Sequence, residues 1–584
     1  MIRRLRAQWP FIAMWLLASI LLIWFSREAI LTRAGWDPDD QLRLVQLRDF
    51  LGGQSWFDTR QYRMNAPDGA PMHWTRVIEL PLALIVVLMT PLLGAARAEM
   101  AAGIIVPLFC LGGITFLLAQ IAGKIAGRPA AIAACLLALI APAMLIQLRP
   151  MRIDHHGWQI FCAVLGFATL YWANVRKAGL VLGAALAVWV HISLEGAPMT
   201  AAFFLYLGWR WVKNRDESYR LSWTLCSFAL GSLALFFGTQ ASGLSTPEYC
   251  DTVSPAHIWA IFSATFIVLP ALYARPENRF LRVGAIVFAG ALALGVLLWL
   301  IPRCSAGAFS DLDPIVRSYW YANIREGLPV WHQDGQAAVT LVTPLLAALG
   351  TLWISRRLLP ADKRSALSTA GFFLVYASLL SLFVFRTVSV ATAFTIVPVA
   401  ICLAALVKAY GIERCLAVRL MFVPLAIGLL APGMIAGSVM ASAQNRGKDQ
   451  ATDMADIKLQ ACESVASVAA LNQLKSANIV APLNIGPAIL MTTPHSVVAS
   501  NYHRNQAALR DQIDLFRLSP SIAKAIIDRR AITHLAICTG DAEMDEYVRR
   551  APHGLWGQIA AGKAPLWLDY QGAVGKGLKV WRVR

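Results

Sequence analysis

Apolar stretches of about twenty residues recur along the first three quarters of this chain, separated by short basic clusters or by longer polar connections. A helix crossing a hydrocarbon core about 30 Å thick needs roughly that many apolar residues. The candidate crossings are Trp9 to Phe25 and then, near, 100–121, 129–147, 158–174, 178–194, 197–211, 221–238, 256–273, 281–301, 338–354, 366–384, 388–409 and 418–436. That makes about thirteen. Composition agrees: 57% of residues are hydrophobic, 15% are charged and the mean hydropathy is +0.56. Soluble domains carry about 25% charged residues, and single cores stop growing near about 250–300 residues. A water-soluble enzyme, a coiled coil and a disordered tail are therefore excluded.

Charge placement gives the orientation. Arg3, Arg4 and Arg6 precede the first run, and Ser26-Arg27-Glu28 after it is a poor cleavage site. The run therefore reads as a signal anchor with its N-terminus in the cytoplasm. Leu80–Leu93 is short and flanked by Pro81 and Pro91, so it reads as interfacial rather than spanning. With that segment left out, the basic clusters Lys124/Arg128, Arg176/Lys177, Lys213/Arg215/Arg220, Arg275/Arg279/Arg282, Arg356/Arg357/Lys363/Arg364 and Arg414/Arg419 all fall on one side. The net charge of +18 thus follows the positive-inside rule, and no nucleic-acid-reading module accompanies it.

Three long connections, 27–99, 239–255 and 302–337, and the tail 437–584 fall on the opposite side. The tail changes composition, with polar helices and short apolar runs at Asn478–Pro482 and His534–Cys538, and reads as an α/β domain outside the membrane. The expected organisation is a transmembrane domain over 1–436 and an external, periplasmic domain over 437–584. Cys250 and Cys304 lie in external loops and Cys462 and Cys538 in the external domain, so an oxidising compartment permits two disulfides.

Four polar positions on the external side carry candidate chemistry. Asp37, Asp39 and Asp40 precede the amphipathic segment Gln41–Leu51, where Asp39 is placed to cap a helix; three acids exceed what a cap needs. Asp154 and His156, in Arg152-Ile153-Asp154-His155-His156, are separated by one residue, which turns both to one side of an extended segment. Carboxylate plus imidazole suits a divalent ion, and the plainer reading is a lipid-headgroup anchor. Asn323-Ile324-Arg325-Glu326 lies in the large loop after Pro302, and Arg386 stands just ahead of a crossing, either snorkelling or holding a phosphate. His191 and Glu195 mark another external helix end without an assigned task.

In this order the four positions resemble the membrane-embedded glycosyltransferases of the GT-C class, most closely the catalytic subunit of oligosaccharyltransferase in its single-subunit bacterial form. The resemblance implies an α-helical polytopic fold of about thirteen crossings with an external α/β domain. It places the family's first-loop catalytic aspartate on Asp39, with Asp40 beside it, and its Asp-x-Asp motif on Asp154-His155-His156. The family's Thr-Ile-x-Glu motif falls on Asn323–Glu326 and its pyrophosphate-contacting arginine on Arg386. The implied catalytic set is Asp39, Asp40, Asp154 and Glu326. The implied ligands of a Mg²⁺ or Mn²⁺ ion are Asp39, Asp154, His156 and Glu326, and Arg386 and Arg152 would bind the lipid phosphate. The family's Trp-Trp-Asp-Tyr-Gly segment falls on Ala481–Gly486, where only the glycine is kept. A pocket reading Asn-x-Ser/Thr is thus not expected, and His155, His495, His503 and Arg504 are candidate contacts for another acceptor or a sugar.

The implied activity is transfer of a sugar or oligosaccharide from a polyprenyl-phosphate or polyprenyl-pyrophosphate donor to a saccharide, lipid or protein acceptor. It would take place on the periplasmic face of a bacterial inner membrane. A polysaccharide polymerase or ligase shares these substrates. A lipid-linked saccharide transporter would need repeated halves and broken helices at mid-membrane, and the acids here lie at one surface.

Overall fold

The computed structural model describes residues 2–444 and 462–584. Residues 445–461, part of the expected external domain, lie outside the described residues. Two compact units interleave along the chain. One comprises Met1–Ser26, Gly103–Ser310 and Arg325–Asn445; the other comprises Arg27–Ala102, Asp311–Ile324 and Arg446–Arg584.

The chain is mostly helical, with ten helices among the described residues long and apolar enough to cross a membrane. The count is eleven if Leu416–Leu430 and Pro432–Ser442, which meet at 85°, form one span. This is fewer than the expected thirteen, for local reasons. The segments expected at 129–147, 158–174 and 197–211 form helices of only 13, 14 and 17 residues: Arg128–Ile140, His156–Thr169 and Ala197–Lys213. The first stops where Pro142, lacking an N–H, starts a separate four-residue helix. Conversely, the run read as interfacial is a helix, Glu79–Leu93, continuous with a 3-10 turn at Arg76–Ile78, and this window reaches 18 residues at hydropathy 2.0. Pro81 falls in its first turn, where a missing N–H costs nothing.

In the first unit a buried aromatic stack joins the helices: Phe373 lies 4.5 Å from Phe203, 5.7 Å from Phe167 and 5.6 Å from Phe394 between ring centres. These separations suit offset and edge-to-face aromatic packing.

The second unit carries a five-stranded sheet in the order β2-β1-β3-β5-β4. Its strands are β1 (Asn478–Val480), β2 (Ser496–Val497), β3 (His534–Ile537), β4 (Leu568–Val574) and β5 (Leu578–Val583). β1 runs parallel to β2 and β3, while β5 is antiparallel to β3 and β4. The two apolar runs singled out in the tail are β1 and β3, the central pair. The segment 311–324 is fastened to the helix Gln506–Arg517 by a two-pronged Arg510–Asp313 ion pair, both contacts 2.9 Å.

Both permitted disulfides form, Cys250–Cys304 and Cys462–Cys538. The second closes 76 residues of sequence. Replacing Cys462 and Cys538 by serine is expected to cost about 2–4 kcal/mol, because the unfolded chain regains the freedom the cross-link removed. Denaturant unfolding of the variant, compared with the parent under oxidising conditions, measures this.

The same unit buries acids. Glu463 is pushed up to about 8 by burial and by its hydrogen bond with Asp541. Glu543 is also pushed up to about 8, by burial and by the neighbouring Asp541 charge. Both folded values exceed the unfolded carboxylate value of about 4.3. Between these limits the folded chain holds more protons than the unfolded one, so stability falls as pH rises from about 4.3 to about 8. Thermal unfolding across that range should show the slope, and Glu543→Gln should flatten it; an unchanged slope would contradict the assignment.

Candidate active site

In the first unit the segment between the short helices Pro142–Leu145 and His156–Thr169 folds back on itself. Met151 takes a positive φ of 68° and its N–H donates to the Gly103 carbonyl at 2.7 Å. Arg152 Nε donates to Gln147 Oε1 at 3.0 Å. This bend presents Asp154, His155 and His156 together, all buried, with one donor atom from each within 4.8 Å of the others. His155 Nδ1 and Asp154 Oδ1 are 2.5 Å apart, and His156 Nε2 lies 3.4 Å from Asp154 Oδ2. Burial pushes the Asp154 pKa upward, but His155, His156 and Arg152 outweigh it and hold the group well below the usual carboxylate range.

Next to this cluster is a small polar pocket lined by His156, Gln159, Trp189, Glu195, Arg386 and Ser389, among others. Its hydrogen bonds have a defined sense. The indole N–H of Trp189 donates to Gln159 Oε1 at 3.1 Å, and Gln159 Nε2 donates to Glu195 Oε2 at 3.1 Å. An indole only donates and a carboxylate only accepts, so the Gln159 amide has one possible orientation. Glu195 sits on the 3-10 turn Leu194–Gly196. That turn needs its glycine, because a Cβ on Gly196 would lie 2.4 Å from the Trp189 ring.

Glu195 forms a close ion pair with Arg386 Nη1, and Arg386 Nη2 is 3.4 Å from Glu326 Oε1. Burial raises the Glu195 carboxyl, but Arg386, followed by His156 and His155, brings it down to about 2. Arg386 itself is set on the 3-10 turn Phe385–Thr387, which is pinned to the large loop by the Phe385 N–H bond to the Leu328 carbonyl at 3.2 Å. Four positions singled out in the sequence, Arg152, Asp154, Glu326 and Arg386, together with both histidines, therefore lie in one neighbourhood. Glu195 and Gln159 complete it, and nothing in their spacing signalled their partners. The available signal was an acidic residue between two apolar helices.

In the second unit, Asp37 rather than Asp39 caps the helix Pro38–Leu51, its side chain accepting from the Asp39 and Asp40 N–H groups. Asp39 Oδ1 instead accepts a hydrogen bond from the Tyr502 hydroxyl at 2.9 Å. Asp40 is almost fully buried and accepts from the Trp36 N–H at 2.9 Å. Gly35, at φ +68°, makes room, since a Cβ there would strike Asp40 Cβ at 2.6 Å. Asp40 therefore closes the turn, while Asp39 pairs with Tyr502. His503 lies 4.9 Å from the His73 ring and 6.4 Å from Trp320, and Arg504 shares its 3-10 turn. His495 is completely buried, Nδ1 accepting from the Ala477 N–H at 3.2 Å and Nε2 donating to the Leu471 carbonyl at 2.8 Å. Both ring nitrogens are spent inside the domain.

Among solved structures, the archaeal oligosaccharyltransferase AglB from Archaeoglobus fulgidus, in complex with an inhibitory peptide and a dolichol-phosphate, is similar at a TM-score of 0.62 and 13% identity. The match covers 97% of this chain and 73% of that one. At this identity the likeness is one of fold. The Archaeoglobus fulgidus oligosaccharyltransferase in complex with Zn and sulfate is similar to this chain at a TM-score of 0.58 and 13% identity, over 97% of this chain and 73% of that one. ArnT from Cupriavidus metallidurans bound to undecaprenyl phosphate matches over 99% and 98% of the two chains at 12% identity, with a TM-score of only 0.35. No family model matches the sequence. No curated protein matches it either.

Proposed function

We propose that this multi-pass GT-C chain transfers a sugar or oligosaccharide from a polyprenyl-phosphate or polyprenyl-pyrophosphate donor to an acceptor on the periplasmic face of a bacterial inner membrane. The observation that carries the reading is the polar pocket in which Arg386 is held between Glu195 and Glu326 beside the Asp154–His156 cluster. A guanidinium fixed by two carboxylates is oriented before any substrate arrives, and it forms charge-assisted bonds with phosphate oxygens. The dolichol-phosphate bound by the AglB fold supports a donor of this class.

The lipid tail has a matching surface. A partly open apolar groove is lined by Leu137, Pro142, Leu341, Pro344, Ile396 and Val399, among others. It shares the helix Val388–Ile412 with the polar pocket, Ser389 facing one and Thr392 the other. An isoprenoid laid there would place its phosphate end toward Arg386.

The residues present suit a divalent ion, since one carboxylate and two imidazoles converge within 4.8 Å. Bound there, such an ion would supply Lewis-acid stabilisation of the departing phosphate. The chain's own groups do the rest. Arg386 binds the phosphate, and Arg152 contributes positive charge beside Asp154. Glu195 and Gln159 hold the pocket wall, and a base for the acceptor proton, the role the resemblance gives to Asp39, is worth about 10²–10⁴-fold.

The test is transfer by the purified chain in detergent from a lipid-linked sugar. Asp39→Ala, Asp154→Ala and Glu326→Ala should each abolish most of it, as should EDTA. Full transfer by any one variant removes that residue from the set, and full transfer in EDTA removes the metal.

A further inference from the structure

A carboxylate stands in the wall of the pocket where Arg386 is placed to meet a phosphate. We propose that Glu195 makes this pocket selective for a donor phosphate of single negative charge, a sugar phosphodiester, against a sugar pyrophosphate. This deepens the transferase reading and rests on Arg386 as the group that meets the donor.

Charge is the first argument. Among the described residues lining the pocket, Arg386 brings the one guanidinium and Glu195 the one carboxylate, and the rest of the polar wall is amide, hydroxyl, indole and imidazole. Glu326 adds a second carboxylate 3.4 Å from Arg386 Nη2. The positive charge of Arg152, with Nη2 3.9 Å from Asp154 Oδ2, is matched by that acid. A phosphodiester brings one negative charge and shares the Arg386 fork with its carboxylates. A pyrophosphate brings a second charge and meets no second cation in that wall. Like charges a few ångströms apart in a low-dielectric pocket repel strongly.

Position is the second argument, because Glu195 is tied down. One of its oxygens pairs with Arg386 Nη1, and the other accepts from Gln159 Nε2 at 3.1 Å. Gln159 is itself fixed by the Trp189 indole N–H at 3.1 Å. The backbone is held as well: the Glu195 N–H donates to Ser193 Oγ at 3.3 Å, and Gly196 packs against the Trp189 ring. A carboxylate bound at both oxygens stays in place when an anion arrives. The side chain is 29% exposed, so its charge faces the pocket rather than being sealed behind it.

Need is the third argument. Glu326 already provides a counter-ion for Arg386, so orienting that guanidinium does not require a second carboxylate. What Glu195 adds is repulsion of surplus negative charge, a device that rejects the wrong ligand rather than one that strengthens the right one.

The experiment uses the purified full chain in detergent with EDTA present, so that only the chain's own charges act. Equilibrium binding is measured for decaprenyl-phosphate glucose and decaprenyl-pyrophosphate glucose, alike in tail and sugar. The phosphodiester should bind at least about 10-fold more tightly; Glu195→Gln should narrow the ratio to within about 3-fold, and Glu195→Asp, which keeps the charge, should preserve it. Equal or tighter binding of the pyrophosphate by the parent, or a ratio unchanged in Glu195→Gln, would overturn the proposal. Where Glu195→Gln fails to fold, the parent decides: a ratio set by charge shrinks between about 50 mM and about 500 mM salt, and a ratio indifferent to salt would assign the selectivity to size and overturn the proposal too. Failure of both probes to bind would remove its premise. Phosphodiester selectivity without sugar transfer would sink the transferase reading and leave the pocket's preference standing; transfer with the pyrophosphate bound as tightly would do the reverse.

Discussion

Arg386→Ala is expected to lower transfer from a lipid-linked sugar by about 10²–10³-fold, the usual effect of removing one preorganised donor to a developing negative charge. Arg386 is the cation that both Glu195 and Glu326 orient in the polar pocket. Arg386→Lys keeps the charge but loses the planar fork that engages two oxygens, so its loss should be smaller but clear. Truncation also has a structural side effect, because Glu195, held down to about 2 chiefly by Arg386, loses its counter-ion. Adding Glu195→Gln to Arg386→Ala should therefore restore thermal stability without restoring transfer. Recovery of transfer in that double variant would show that Arg386 serves only to neutralise Glu195.

The largest expected effect on stability lies elsewhere, at Glu79. Its two carboxylate oxygens pair with Arg43 Nη1 at 3.3 Å and Arg76 Nη1 at 3.0 Å, and all three side chains are about 1% exposed. Arg43 also lies over the Trp74 ring at 4.1 Å, and Arg76 over Phe50 at 4.9 Å. Removing one partner of a buried ion pair leaves charge stranded in a low-dielectric interior, at about 3–5 kcal/mol. Glu79→Ala takes the shared carboxylate from two buried guanidinium groups and should fall in that range. Unfolding in detergent monitored by intrinsic fluorescence measures it, and a loss under about 1 kcal/mol would mean the network is solvated.

What the sequence made legible follows from how each feature is encoded. Hydropathy is a local property, so the long apolar helices and the central strands β1 and β3 could be read from it. Helix length is not wholly local. Pro142 cut one expected crossing short, and the 3-10 turn at Arg76–Ile78 lengthened the helix at Glu79 that had been set aside as interfacial. In the site, residues adjacent in sequence, such as Asp154 and His156, could be paired by spacing. Glu195 could not, because its partners Gln159 and Arg386 stand 36 and 191 positions away. Capping shows the limit at closest range: Asp37 takes the cap two residues before Asp39, which leaves Asp39 to Tyr502, a partner 463 positions on. His495 looked like an available polar group, and only its burial reveals that both nitrogens hold the domain together.

Bond cleavage at a lipid-linked donor is what separates a transferase from a transporter. The most direct measurement supplies proteoliposomes containing the purified chain with a radiolabelled polyprenyl-phosphate sugar, and follows both cleavage of the sugar–phosphate bond and movement of intact donor between leaflets. Cleavage that depends on Arg386 and Asp154, with free polyprenyl phosphate released, is the predicted result. Intact donor crossing the bilayer without cleavage, at a rate unchanged in Arg386→Ala, would contradict it.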